Sequence, residues 1–353
     1  MHLPRVQRLP CDHPGLEFGD EPAKLPSMRQ CIAIFLLLLL MRGGGMVQAQ
    51  PASGGVAVVR HQGRDFVKLA TWAYANGYQV GWVKKDEWLG LRKDENQVTF
   101  RVDSREARVN GLQVWLLFPL TLIKGCAMIS VIDTENTLQP FLKKPLKQPA
   151  KVTTICLDPG HGGKDPGHRS LGYNEKALTL LLALELGKQL RQAGYAVTFT
   201  RRTDAFVDLP DRPRMARKQG ADLFISLHFN ATESSRSLAQ GCEVYCMTPA
   251  GAPSTNAQGE GADTGGYPGN RQNSVNLRTA YEMQKSLVRS LGVADRGLRR
   301  ARFAVLRDAT MPAVLIEAGF LSHPAEGRKI LSASYRQKIA GGIVRAVREL
   351  GKS

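Results

Sequence analysis

The sequence lacks an apolar run long enough to cross a bilayer as a permanent anchor. Residues 31–41 are apolar and include five consecutive leucines, but a transmembrane helix needs about 20 such residues. The run follows Arg29 and is followed at 47–49 by Val-Gln-Ala, a small-x-small cleavage site. A charged start, a short apolar centre and a cleavage site in this order predict a signal peptide within residues 1–49. We therefore expect an exported chain that lies in the periplasm or outside the cell.

Two alternatives remain open at this end of the chain. The apolar run could be retained as an uncleaved anchor, and translation could begin at Met28, since the preceding residues resemble neither a domain nor a signal. A lipoprotein anchor fits less well, because Cys31 precedes the apolar run instead of following it.

Acidic residues are scarce relative to basic ones. The chain has 48 Lys and Arg against 31 Asp and Glu, a formal charge of +17, and without residues 1–49 the balance is 43 against 27. A basic surface favours polyanions, which outside the cytoplasm are wall polymers, anionic lipids or lipopolysaccharide. Nucleic acid would fit the charge equally well, but no nucleic-acid motif accompanies it and the expected export argues against that partner.

Cysteines are also few. Two of the six, Cys11 and Cys31, lie in the predicted signal segment, and the others are Cys126, Cys156, Cys242 and Cys246. Cys242 and Cys246 are four residues apart on a predicted strand, about 13 Å, which is too far for a direct disulfide. A zinc pair of this spacing would lack a second pair, so we expect buried apolar thiols.

Residues 56–142 combine several short strand-like runs with one helix-compatible stretch at 66–75. Asn110-Gly111 stands between two of the runs and is a strong hairpin signal. We expect a small α+β domain, which resembles the copper-amine-oxidase-like N-terminal domains attached to bacterial wall enzymes. Its only histidine is His61, so no copper site is expected. Such a domain could bind the wall or act as a spacer.

Residues 143–151 have the Pro and Lys content of an interdomain linker and separate this domain from residues 152–353. Beyond the linker, apolar strands alternate with amphipathic helices, which predicts an α/β domain, a layered sheet with helices on both faces. Functional sites are then expected at the ends of the strands. The predicted strands are 153–158, 195–200, 222–228, 241–247, 303–306 and 313–317, and the predicted helices are 174–193, 209–219, 274–291 and 335–350.

Four residues that can bind metal or move protons lie at or just beyond the ends of apolar segments: His161, Glu175, His228 and Glu317. Two histidines and one carboxylate form a common ligand set for catalytic zinc and leave the fourth position for water. Zinc lowers the pKa of bound water to about 7. A further carboxylate must then take the proton and pass it to the leaving nitrogen, and Glu317 is the candidate.

Each of these residues also has an ordinary explanation. Glu175 could be an acid in a first helical turn, where the helix dipole favours it. His228 could be a core histidine at a strand end, and His161 in its glycine-rich turn could bind an anion. An ordinary explanation is harder to find for Glu317, because it follows four apolar residues and a buried carboxylate needs a partner.

Motifs in consistent order and spacing lead beyond these alternatives. They include Leu-Asp-Pro-Gly-His-Gly-Gly-Lys-Asp-Pro-Gly (157–167), Asn-Glu-Lys (174–176), Ile-Ser-Leu-His-Phe-Asn-Ala (225–231) and Met-Pro-Ala-Val-Leu-Ile-Glu-Ala-Gly-Phe-Leu-Ser (311–322). With them, residues 155–347 resemble the zinc-dependent N-acetylmuramoyl-L-alanine amidases that separate daughter cells and degrade peptidoglycan. The resemblance implies one zinc ion on His161, Glu175 and His228, with Glu317 catalytic. It also implies hydrolysis of the bond between N-acetylmuramic acid and L-alanine in peptidoglycan.

Two rival functions remain. A zinc carboxypeptidase or endopeptidase acting within the stem peptide would use the same chemistry, and a wall-binding protein could keep the fold without turnover. Some relatives insert an autoinhibitory helix where residues 248–272 stand, but this segment is rich in Gly and Pro and poor in apolar residues. We therefore expect no helical plug and activity without an activator protein.

Three further side chains are expected near the site without a catalytic role. His168 stands where the resembled family has a small residue, and we expect it at the rim of the cleft. Arg201 and Arg212 are expected to be structural ion-pair partners of Asp204 and Asp211.

Overall fold

The computed structural model of the protein describes residues 56–142, 152–233, 237–256, 261 and 265–351. The predicted signal segment and the predicted linker therefore lie outside the described residues. We call residues 56–142 the N-terminal region and residues 152–351 the C-terminal region. Among the described residues, no helix combines the length and apolar character needed to cross a membrane.

The N-terminal region is a strand-rich unit with one longer helix. Phe66 and Val67, predicted as helical, lie on a strand instead, because they pair with Ser130 and Ile129 of a neighbouring strand. Its elements are β1 (Val58–His61), β2 (Arg64–Lys68), α1 (Leu69–Ala75), β3 (Gln79–Lys84), β4 (Trp88–Lys93), β5 (Asn96–Arg101), β6 (Ser104–Val109), β7 (Leu112–Ile123), β8 (Cys126–Ser130), α2 (Val131–Asp133), a π-helical turn (Thr134–Leu138) and α3 (Gln139–Leu142).

The predicted hairpin in this region is confirmed. Val109 pairs with Leu112, and the two residues between them, Asn110 and Gly111, have φ values of 48° and 84°. Positive φ at both loop residues is the requirement of the tight turn that Asn-Gly favours.

The C-terminal region alternates strands and helices. Its elements are β9 (Thr154–Pro159), β10 (Arg169–Ser170), β11 (Tyr173–Asn174), α4 (Glu175–Gln192), β12 (Ala196–Phe199), α5 (Asp211–Lys218), β13 (Leu223–Asn230), β14 (Cys242–Met247), a 3-10 turn (Pro268–Gln272), α6 (Asn273–Leu291), β15 (Asp295–Ala301), α7 (Ala304–Arg307), β16 (Ala313–Phe320), α8 (Pro324–Leu331) and α9 (Ala333–Leu350). The strand predicted at 303–306 is wrong, since residues 304–306 fall in α7, Phe303 precedes that helix, and the strand of this part of the chain is β15.

One large sheet positions these elements in the order β12-β9-β13-β16-β14-β15-β7-β6-β5-β4-β3. Alternate residues of its strands face two cores. On one face, residues such as Leu157 and Ile316 pack with α4, α6 and α9. On the other, residues such as Phe224 and Leu315 pack with α5 and α7. The predicted α/β class, with helices on both faces of the sheet, is confirmed.

The cysteines of this region behave as apolar core residues. Cys156, Cys242 and Cys246 are buried free thiols, as expected. Burial raises the pKa of the Cys156 thiol to about 12, so it stays protonated and unreactive at neutral pH.

Candidate metal centre

The predicted site residues converge at the carboxyl ends of three adjacent parallel strands. His161 follows β9, His228 lies near the end of β13, and Glu317 lies in β16 directly beside His228 in the strand register. Glu175 begins α4, whose first turn reaches the same edge. The register of the sheet therefore brings together residues that are up to 156 positions apart in the chain.

Three of these side chains present donor atoms to a common point. Within the described residues, His161, Glu175 and His228 are the one group of at least three such side chains whose donor atoms lie within 4.8 Å of one another. Each carboxylate oxygen of Glu175 lies 3.1 Å from a ring nitrogen, Nε2 of His161 and Nδ1 of His228. Imidazole and carboxylate donors at this separation form a set that one small cation can share.

The glycine-rich turn after β9 is built to leave room for this cluster. His161 has a φ of 63°, an uncommon conformation for a residue with a side chain. A Cβ atom at Gly160 would lie 2.2 Å from the His228 ring, and one at Gly167 would lie 2.6 Å from the His161 ring. Strained backbone held by its surroundings is characteristic of functional sites.

A buried ion pair fixes the floor of the site. Asp158 accepts hydrogen bonds from Thr200, Ser226 and Arg212 at 2.6 to 2.8 Å. Arg212 also donates to the backbone oxygen of His161 at 2.9 Å. Arg212 is therefore structural, as expected, but its predicted partner is wrong, because the buried carboxylate that it can reach is Asp158.

Arg201 holds the other side of the same turn. It donates to the backbone oxygens of Pro159 and Gly160 at 2.9 and 2.7 Å. Its predicted partner, Asp204, forms its ion pair with Lys176 instead, at 2.7 Å. The guanidinium of Arg201 thus binds backbone carbonyl oxygens, and the carboxylate of Asp204 is bound by Lys176 instead.

The charges within the cluster favour an ionised Glu175 beside its histidines. Burial opposes the charge of Glu175, but hydrogen bonds and attraction from His161 and His228 outweigh it and lower the pKa of this carboxyl. Burial likewise opposes a charge on His161, whereas Glu175 and Asp165 raise its pKa. The cluster therefore presents a carboxylate, the form that binds metal.

Glu317 has the opposite character. Glu317 as a whole is half-buried, but its Oε2 atom is inaccessible to solvent. This atom has no hydrogen-bond partner among the residues that the structure describes. Burial and then the negative charges of Glu175 and Glu243 raise its pKa well above the ordinary value. A carboxyl group with a raised pKa is a better proton acceptor than an ordinary glutamate, which suits a general base.

Asp165 was missed by the sequence reasoning, although it lies in the same motif as His161. Its Oδ2 lies 2.8 Å from Nδ1 of His161, and its Oδ1 accepts the N–H of Gly167. This contact directs Nε2 of the ring toward Glu175. A carboxylate on the far nitrogen of a metal-binding histidine fixes the tautomer and orientation of the ring.

Asp165→Asn is expected to lower zinc affinity by about 10- to 100-fold while the protein stays folded. Competition titration against a fluorescent zinc chelator measures this directly. Asp222→Asn is the matched control, because Asp222 binds Thr153 at the opposite end of the strands. Equal zinc affinity in the two variants would show that Asp165 does not orient His161.

His168 is half-buried and does not join the donor cluster. Its backbone N–H donates to Oε2 of Glu175 at 3.0 Å, so the residue supports Glu175 through its backbone. The described part of residues 248–272 contains the 3-10 turn Pro268–Gln272, and residues 257–260 and 262–264 lie outside the described residues. The expectation of activity without an activator stays a prediction.

Two family models match the chain. One, described as N-acetylmuramoyl-L-alanine amidase, matches residues 155–349. The other, described as copper amine oxidase N-terminal domain, matches residues 47–139. The first match covers more than half of the chain and includes His161, Glu175, His228 and Glu317. Both resemblances expected from the sequence are thereby confirmed.

Several curated proteins are similar to the chain. It is 37% identical over 219 residues to the N-acetylmuramoyl-L-alanine amidase AmiC of Neisseria meningitidis, covering 55% of this chain and 52% of that protein. It is 30% identical to LytC of Bacillus subtilis, covering 62% of this chain and 40% of that protein. The chain thus spans about half the length of these two relatives. For AmiA of Escherichia coli the identity is 29%, with 65% of this chain and 87% of that protein covered.

Solved structures are similar over the C-terminal region. An N-acetylmuramoyl-L-alanine amidase from Clostridium difficile 630 is 31% identical, with a TM-score of 0.49 over 58% of this chain and 99% of that chain.

Proposed function

Because the chain belongs to the N-acetylmuramoyl-L-alanine amidase family, we propose that it hydrolyses the amide bond between N-acetylmuramic acid and L-alanine in peptidoglycan, using one zinc ion. The observation that carries the proposal is the unpartnered Oε2 of Glu317 beside the His161, Glu175 and His228 donors. A metal site alone could be structural, whereas a buried carboxyl group with a raised pKa next to it supports hydrolysis.

The residues present fit zinc. Two imidazoles and one carboxylate match the ligand types of catalytic zinc sites, which leave a position for water. The donor atoms lie within 4.8 Å of one another, and the small residues Gly160 and Gly167 leave space at the cluster. His161, Glu175 and His228 would hold the ion.

A zinc ion held by His161, Glu175 and His228 would polarise the amide carbonyl and lower the pKa of a bound water. Glu317 takes one proton from the water at its unpartnered Oε2, while the remaining hydroxyl bonds to the carbonyl carbon. The same carboxyl group then donates that proton to the nitrogen of L-alanine as the carbon–nitrogen bond breaks. The raised pKa of Glu317 favours the first transfer, because it makes the carboxylate a better proton acceptor than an ordinary glutamate.

The organisation of the chain around this site also belongs to the proposal. We place a signal peptide and upstream extension in residues 1–49, an accessory domain at 56–142, a linker at 143–151 and the catalytic domain at 152–353. Export to the periplasm or cell exterior would bring the enzyme to its substrate. The positive formal charge of +17 supports contact with anionic wall polymers.

Digestion of purified peptidoglycan by the zinc-loaded protein distinguishes the proposal from its chemical rivals. Mass spectrometry is expected to find intact stem peptides with a free L-alanine amino terminus and glycan strands without peptides. Shortened peptides that remain attached to glycan would instead identify an endopeptidase or carboxypeptidase. Absence of any cleavage by a folded, zinc-loaded protein would favour a wall-binding protein without turnover.

A further inference from the structure

The N-terminal region is joined to the C-terminal region by more than sequence. β7 continues the sheet beside β15, with Val114 opposite Leu298. Across the same seam, the backbone N–H of Gln113 donates to Asp295 at 2.8 Å, and the hydroxyl of Tyr281 donates to the backbone oxygen of Val109 at 3.1 Å. The two regions are therefore joined by hydrogen bonds at β15 and α6. In the sheet, β15 is separated from β16 only by β14.

Trp115 lies at the centre of this seam. Its Nε1 donates to the backbone oxygen of Arg296 at 2.8 Å, and the guanidinium carbon of Arg299 lies 4.4 Å from the centre of its ring. Gly297 permits this approach, because a Cβ atom there would lie 2.9 Å from Nε1 of Trp115. The side chain of Trp115 thus contacts two arginines: it binds the backbone oxygen of Arg296, and its ring face contacts the guanidinium of Arg299.

Arg299 connects Trp115 to the buried carboxylate of Glu243. Its Nε donates to Oε2 of Glu243 at 2.7 Å, and the two side chains are 13% and 4% exposed. Arg296 lies 3.6 Å from the same oxygen. Because the pair is nearly excluded from water, the position of Glu243 depends strongly on where Arg299 is held.

Glu243 in turn lies beside the reacting carboxyl group. It stands directly opposite Glu317 in the antiparallel pairing of β14 and β16, so both side chains project from the same face of the sheet. Its other oxygen accepts hydrogen bonds from Asn230 and from the hydroxyl of Tyr245. A shift of Glu243 would therefore change both the space and the electric field around Glu317.

We propose that Trp115 is a positioning residue for the amidase reaction: it holds Arg299, Arg299 holds Glu243, and Glu243 keeps Glu317 in its reactive place. The N-terminal region then completes the active site without touching substrate. This inference rests on the proposed catalytic role of Glu317. It extends that role by assigning a catalytic contribution to a residue outside the part of the chain that matches the amidase family.

Steady-state kinetics of the full chain on a soluble muropeptide tests the inference. Trp115→Ala is expected to lower kcat by about tenfold, with KM and zinc content unchanged, because a small displacement of a reacting group is costly to rate. Trp115→Phe keeps a ring face for Arg299 and is expected to restore kcat to within about twofold of the wild-type value. If Trp115→Ala does not fold, Trp115→Leu keeps apolar volume at the seam and replaces it under the same expectation.

Tyr281→Phe is the matched control, because it also removes one hydrogen bond between the regions but lies outside the contacts of Glu243. It should retain the wild-type kcat. In an Arg299→Gln background, the change at Trp115 should cause no further loss of kcat, since residues that act through one contact are not additive. Equal kcat in Trp115→Ala and Tyr281→Phe, or full additivity with Arg299→Gln, would overturn the inference.

Failure of the inference can be separated from failure of the proposed mechanism. If Glu317→Gln is inactive while Trp115→Ala turns over normally, only the positioning role is wrong. If Glu317→Gln is as active as the wild type, the mechanism itself is wrong, and the positioning role of Trp115, which rests on it, is overturned as well.

Discussion

Glu317→Gln is expected to lower kcat by about 10²- to 10⁴-fold, the range that a general acid and base contributes, with KM and zinc content close to wild type. The amide is similar in size to the carboxyl group but cannot accept the proton from water. The side chain binds no described residue through Oε2, so few contacts are lost on substitution. Release of stem peptides from a soluble muropeptide, followed by chromatography, measures the effect.

Glu282→Gln is the matched control, because Glu282 pairs with Lys285 on the outer surface of α6. It should turn over at the wild-type rate. Substantial activity of Glu317→Gln, at wild-type zinc content, would remove Glu317 from the mechanism.

The same substitution should also change the pH dependence of stability in protein freed of metal. The pKa of Glu317 is raised in the folded state from an ordinary value of 4.5, so its stabilising contribution is complete below that pH. It is lost as the pH rises from the unfolded-state pKa through the folded-state pKa. Over this range the folded state still holds a proton that the unfolded state has released, so rising pH favours the unfolded state. Thermal melts should therefore show Glu317→Gln gaining stability over wild type from about pH 4.5 upward. A constant difference in Tm across this range would show that Glu317 ionises normally.

Removal of zinc with a chelator is expected to lower kcat by about 10³-fold or more, since the metal supplies several kcal/mol of transition-state stabilisation. Added zinc should restore activity. The protein should remain folded, because the buried residues of both hydrophobic cores are distributed over the whole sheet and its helices. Its Tm should fall, since an ion present at about 1,000 times its Kd stabilises the folded state by about 4 kcal/mol.

His228→Ala should reproduce the loss of activity, with sub-stoichiometric zinc by elemental analysis. His61→Ala is the matched control, because His61 lies on β1 in the N-terminal region. Full activity after exhaustive chelation, verified by the same elemental analysis, would exclude a catalytic metal.

The sequence predicted the α/β class because its apolar residues follow the periods of strands and helices. It failed at β15, because three of its seven residues are arginines and only Leu298 and Ala301 are apolar residues that pack into the cores, on opposite faces of the sheet. One of these arginines, Arg300, is fully buried, which requires partners that only the folded chain supplies.

The four candidate site residues could be found from the sequence because each ends an apolar segment within a motif. The residues that hold these four side chains in place could not be found from the sequence. Arg212 pairs with Asp158 across 54 positions, a choice made by tertiary packing over the nearby Asp211. The left-handed backbone of His161 and the hydrogen bond that orients its ring are equally invisible in a one-dimensional pattern.

The continuity of the sheet across β15 and β7 has a consequence for how the chain can be divided. A fragment that begins after the linker would turn β15 into an edge strand with exposed backbone donors and acceptors, a surface on which other chains can add. It would also remove the backbone oxygen of Asn136 from the buried Arg300. We therefore expect a fragment cut at the boundary between the two sequence families to self-associate more readily than the full chain.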